Sequence, residues 1–444
     1  MGLISKLISK ALSKRYKADQ EEDFGKYSFA VNSIEKANKL KIAENNFFHG
    51  QFQEAFKLFF EYLQRPSENN LEFSRQRSRL EFSFYQGSKL VTGYITDKEI
   101  HASSEIAQYS DFSERLAEIL LKENNKLRYC KFTKGRKTIS LALEAVPQFT
   151  PPSVLYEALK ELAVTADSYD DILVQNFDFL KPINIQHIEV LPEDKLKVKL
   201  HYLRQWIDET LKKTASLSST FQEKNRNKGI ISYYLLSLTY KLYYLIAPEG
   251  VLLDDLKKVH IFFMSKKDME VTKRNDYIIN VFENIIKQRD DELAKSIYKV
   301  KTTFPVVESV PDEYIIRFIE SELEASAWYR QNNNQEILPV IYQYIIGYLN
   351  FTVALPVVVK ELFDIIWEIY NTEFFKDYGL NYNLARRDTL NTFTVENRIN
   401  SIIGSGKDKF PIRTGRLNYS SKNYFAYTLL SEIANALNIW TKKD

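Results

Sequence analysis

The chain has 444 residues, 61 Lys and Arg against 58 Asp and Glu, a formal net charge of +3, and one cysteine. The near-balance of charge excludes a general polyanion binder, and Cys130, having no second cysteine, forms no intrachain disulfide and fits a reducing cytoplasm. With 13 Gly and 12 Pro there is no collagen-like or long low-complexity tract, and the abundance of Tyr and Phe suits tight helix packing and protein-contacting surfaces.

Residues 1–34 divide into a basic amphipathic segment and an acidic linker. Leu3, Ile4, Leu7, Ile8, Ala11 and Leu12 fall on one helical face, and Lys6, Lys10 and Lys14 on the other. A helix of this kind lies in a membrane interface or docks in a groove of its own chain or of a partner. Both readings stand at this point. The segment lacks the continuous apolar core of a secretory signal, and Lys6 occupies the position where a myristoylation motif has Ser or Thr.

Residues 35–64 predict a helix pair. The run from Ala43 to Ala55, with Gly50 inside it, is similar to a single tetratricopeptide unit, in which the glycine lets two helices approach and the later alanine packs between them. One copy cannot bury its own face, so the pair should form the first layer of the domain that follows. Leu80, Phe82 and Phe84 then alternate with Glu81, Ser83 and Tyr85; Lys89–Thr96 and Ile100–Ile106 give two further alternating runs. Such alternation marks half-buried antiparallel strands. Phe112, Leu116, Ile119 and Leu120 share a helical face, with Asp111 and Glu114 as the expected N-cap pair. Strands return at Leu127–Lys134 and Thr138–Val146, and Pro151-Pro152 opens a further helix.

The order helix, three strands, helix, two strands, helix resembles that of the type III secretion chaperones and their non-secretion relatives. Leu120-Leu121-Lys122-Glu123-Asn124 is similar to that family's ending of the middle helix, and Leu155–Leu162 fits its closing helix. The resemblance covers residues 35–180. It implies an α+β chaperone-like domain (α-β-β-β-α-β-β-α), a homodimer, and a protein client or assembly partner held in extended form. Leu90, Tyr94 and Phe132 are the candidate client-binding residues, through strand edges and apolar grooves, and each is equally eligible for the core.

Beyond this domain the chain predicts a large all-α region, in two parts, 181–305 and 306–444. Leu253-Asp254-Asp255-Leu256 after Pro248 aligns with Val359-Lys360-Glu361-Leu362 after Pro356, as in a diverged duplicate. Ile337–Val359 carries no charge and is long enough to span a bilayer; Gln343, Gly347, Asn350 and Pro356 within it favour two buried helices meeting at the proline.

No catalytic residue, metal site or cofactor is predicted. Gly404-Ser405-Gly406-Lys407 fails as a phosphate loop, because Ser401 and Asp408 stand where glycine and Ser or Thr are needed. The five histidines are scattered, and Cys130 reads as a small strand residue. Asp167, Asp170 and Asp171 read as a solvated acidic helix end. Arg75, Arg77, Arg79 and Lys89 interleave with aromatics, but without a recognised fold no nucleic acid partner is expected. The expectation is therefore a non-enzymatic, protein-binding adaptor in the cytoplasm. The alternatives are a peripheral scaffold at the inner face of the membrane and an enzyme without a recognisable motif.

Overall fold

The computed structural model describes residues 24–25, 34–65, 69–77, 79–183, 188–387, 389–404 and 409–440. The amphipathic face predicted at Leu3, Ile4, Leu7 and Ile8, with Lys6, Lys10 and Lys14, and the tip Ser405–Asp408, lie outside them.

Helices α1 (Ile34–Phe48) and α2 (Phe52–Leu63) form a hairpin around Gly50, which takes φ +77°. A Cβ at Gly50 would meet nothing, so the glycine serves the left-handed turn rather than a close helix approach. The α2 stripe of Ala55, Phe56, Phe59, Phe60 and Leu63 is buried, and Phe60 meets Phe82 of the sheet at 4.6 Å.

The sheet is antiparallel and has seven strands. They are β1 (Leu71–Gln76), β2 (Arg79–Gln86), β3 (Lys89–Ile95), β4 (Ile100–Tyr109), β5 (Cys130–Lys134), β6 (Thr138–Ala145) and β7 (Leu180–Pro182). Their order is β1-β2-β3-β4-β6-β5, with β7 also paired to β4. Helix α3 (Glu114–Asn124) separates β4 from β5, and α4 (Pro152–Asn176) crosses the inner face. The three strands expected before α3 are thus four. In β1 the apolar alternation stops after Leu71 and Phe73, and the strand continues through Ser74, Arg75 and Gln76 on the strength of its pairing with β2. The cap of α3 also differs from expectation. Ser113 accepts from Leu116 N at 3.3 Å, while Asp111 accepts only from the adjacent Phe112 N.

Nine long helices form a second layer among the described residues: α5 (Glu193–Leu217), α6 (Lys228–Lys241), α7 (Gly250–Ser265), α8 (Val271–Lys287), α9 (Asp312–Gln331), α10 (Leu338–Thr352), α11 (Val357–Tyr370), α12 (Thr392–Ile403) and α13 (Lys422–Trp440). Helices α6 and α10 pack together at its centre, where a Cβ on Gly347 would stand 2.6 Å from Tyr240 Cβ. The uncharged stretch is not one helix, since α10 ends at Thr352 and α11 begins after Pro356. No described helix is long and apolar enough to cross a membrane. Leu253 and Leu256 of α7, and Val359 and Leu362 of α11, are buried alike.

Each layer has its own apolar core. Phe304, between α8 and α9, crosses over and is fully buried in the core of the sheet layer.

Candidate functional site: an open strand edge and a polar junction

Register sorts the sheet residues by face. Phe73, Phe82, Ala102, Leu143 and Cys130 align on the inner face, under the helices. Glu81, Tyr94, His101 and Glu144 align on the outer face, and beside them Ser83, Thr92, Ser103 and Ala142. The outer face is therefore polar and carries small side chains rather than an apolar groove. Leu90 and Tyr94 are half-buried upon it, four residues apart on β3 or about 13 Å at strand spacing. The Tyr94 hydroxyl donates to Glu99 Oε1 at 2.9 Å, and the Arg79 guanidinium lies 3.8 Å above its ring. That hydrogen bond to Glu99, followed by burial, raises the Tyr94 pKa.

Phe132 is not on this surface. It points inward and packs on Tyr169 at 5.4 Å, because its pairing with Leu141 fixes it on the core side. The fold does not bring the three candidate residues together.

The two ends of the sheet differ in how their outward backbone groups are satisfied. At β5, Asn124 acts as a one-residue strand: its Oδ1 accepts from Phe132 N at 2.7 Å and its Nδ2 donates to Phe132 O at 3.2 Å. Glu161 accepts from Arg128 N and Tyr129 N just before that strand. The edge is thereby blocked. At β1, Tyr85 N donates to Asn70 O at 3.0 Å. That bond sets the parity of the ladder, so Glu72, Ser74 and Gln76 bond to β2 while Leu71, Phe73 and Arg75 direct their backbone groups outward. Gln64 Nε2 donates to Leu71 O at 3.1 Å. The N–H and C=O of Phe73 and Arg75 have no partner among the described residues.

Between the two layers lies a polar junction built on the turn Gln86-Gly87-Ser88. A Cβ on Gly87 would stand 1.7 Å from Asp167 Oδ1, so only glycine fits under α4 here. Asp167 accepts from Ser88 N at 2.8 Å, and Asp170 accepts from Ser88 Oγ. Lys89, one of the four basic residues that interleave with aromatics in the sequence, is fully buried. Its ammonium meets Asp170 Oδ2 at 3.0 Å, Ile106 O at 3.2 Å and Ile183 O at 3.3 Å, which uses all three donors. The expected solvated acidic helix end is instead a packed stretch within α4, with Asp170 only 4% exposed and Asp167 and Asp171 half-buried. Asp171 lies against Gly250 at the start of α7 and accepts from the Tyr298 hydroxyl at 3.4 Å. Burial first, then the Asp170 charge, pushes the Asp171 carboxyl up to about 6.

From the helical layer the strap Tyr298–Phe304 closes over the same turn. Gln86 Oε1 accepts from Thr303 N at 3.1 Å and Phe304 N at 2.9 Å, and its Nε2 donates to Phe304 O at 3.2 Å. Thr303 Oγ1 donates to Tyr85 O at 2.8 Å and also meets Asn70. The ring of Phe304 is edge-on to Phe84 at 5.4 Å and to Tyr156 at 5.2 Å.

Sequence reading missed the β1 edge, the Asn124 clamp and the strap. Only the clamp left a sequence trace, in the asparagine that ends α3. Burial, helped by Glu161, pushes the Cys130 thiol far up, which suppresses thiolate chemistry. Among the described residues, no three His, Cys, Asp or Glu side chains are placed to hold a metal ion. No family model matches the chain, and no curated protein matches it.

Proposed function

We propose that the chain is a non-enzymatic protein-binding adaptor that holds an extended segment of a protein client as an added strand on β1. The observation that carries this reading is the asymmetry of the sheet. One end is closed by Asn124, and the other presents Phe73 and Arg75, whose backbone groups have no partner among the described residues. Backbone pairing at such an edge supplies affinity, and alternate side chains supply selectivity. The reading accords with the resemblance to type III secretion chaperones, whose clients are held in extended form. Leu90 and Tyr94 would flank such a client only from the outer face, and Phe132 would act through the core.

Proline tests the edge directly. At Arg75 the N–H points away from β2, so Arg75→Pro removes no internal ladder bond yet removes a donor the client needs. Affinity purification of the full-length chain from its native lysate should recover a partner with wild type and Arg75→Ala, and lose it with Arg75→Pro. Equal recovery by all three would overturn the proposal.

A further inference from the structure

Phe24 and Gly25 touch the helical layer far from their own position in the sequence. The Phe24 ring sits among Phe375 at 5.2 Å, Tyr378 at 5.6 Å and Phe374 at 6.0 Å. Those three come from the short helix Thr372–Asp377 and the residue after it, backed by Tyr202 and Trp206 of α5, each 5.3 Å from Phe374. Phe24 itself stays half-buried, so it occupies the slot from the surface rather than completing a closed core.

Gly25 is specified separately. Its N–H donates to Tyr244 O at 2.8 Å. That carbonyl is an acceptor its own helix cannot serve. The residue four positions on is Pro248, which has no N–H, and the next N–H, that of Glu249, donates to Ser296 O at 2.8 Å. Gly25 also takes φ +79°, and a Cβ there would stand 2.8 Å from the Tyr244 ring. The slot thus selects an aromatic ring, then a residue with no side chain and a free N–H.

Charge adds a third feature. In sequence the dipeptide follows Asp19-Gln20-Glu21-Glu22-Asp23. At the slot, the ammonium of the half-buried Lys195 lies 5.1 Å from the Tyr378 ring, and that of the buried Lys199, which donates to Ile246 O at 2.7 Å, lies 5.7 Å from it.

We propose that this slot recognises a short acidic segment ending in Phe-Gly, that the chain fills it in cis with Phe24-Gly25, and that a protein partner bearing such a segment displaces the cis plug. A tethered plug competes at an effective concentration of about millimolar, so the site is masked in the resting chain and opens on exchange. The inference is independent of the β1 edge.

The test uses a labelled peptide of residues 19–28 and the full-length chain. Phe24→Ala empties the slot. Gly25→Ala empties it by a second route that leaves every slot residue in place. By fluorescence anisotropy the peptide should bind both variants about tenfold more tightly than wild type, more weakly as salt rises, and equally well when Arg75→Pro is added. The same peptide with its glycine changed to alanine should not bind. Failure to bind either variant, equal binding to wild type, or equal binding of the alanine peptide would each overturn the proposal.

Discussion

Removing the ring of Phe304 is the most informative perturbation of the fold. Phe304→Ala leaves the strap backbone clamped, because Gln86 still bonds the N–H and C=O of residue 304. What is lost is a fully buried ring and its edge-on contacts with Phe84 and Tyr156. Emptying a site of this kind costs roughly 3–5 kcal/mol, of which each aromatic pair contributes about 0.5–1.5 kcal/mol. Against a usual total of about 5–15 kcal/mol, that is a large fraction. Urea unfolding followed by circular dichroism should show the loss as a lower midpoint with unchanged slope. Hydrogen exchange should then localise it: amides of β2, β3 and α4 exchange faster, while those of α6 and α10 keep their protection. A loss below about 1 kcal/mol, or faster exchange confined to residues 298–304, would refute the reasoning that the strap completes the sheet's core.

Asn124→Ala should unblock β5; losing the paired bonds to Phe132 costs about 1–3 kcal/mol, and light scattering should show concentration-dependent association beyond that of wild type. Asp171 holds its proton more tightly folded than unfolded, so its contribution to stability is complete below about pH 4 and is lost as pH rises through about 6. Asp171→Asn should therefore flatten the stability profile across that window and gain on wild type above it, by at most about 3 kcal/mol, as read from urea midpoints at several pH values. A gain that is the same at every pH would show that the carboxyl's charge is not the cause.

Much of the sheet was legible because its alternation is long. β2 and β6 each repeat the apolar-polar step enough times to declare a buried face, whereas β3 turns Lys89, Val91 and Ile95 inward and leaves Leu90 and Tyr94 outward. β1 was not legible, since two apolar residues followed by Ser-Arg-Gln form no period, and pairing alone makes it a strand. The direction of Phe132 depends on its register against Leu141, which a single run of residues cannot state. The helical layer was readable as helices, and the break at Pro356 as a break, but not which helices meet. The acidic cluster failed for a different reason. Ser88 and Lys89 stand some eighty positions before Asp170, so its burial is a property of the tertiary fold. Phe24-Gly25 is two residues long and carries no period at all.

The strap also bears on how the chain is made. The strands and helices of the sheet layer are all synthesised by Pro182, yet the ring that closes their core belongs to residue 304. At about 5–20 residues per second, a ribosome needs on the order of ten seconds to supply it. During that interval Phe84 and Tyr156 lack their cover, and the nascent sheet is an incomplete, sticky intermediate. A polypeptide released early, before α8 has been translated, cannot close that gap. Maturation of the amino-terminal layer thus becomes a check that translation has passed through α5 to α8, the first four of the nine long helices behind it.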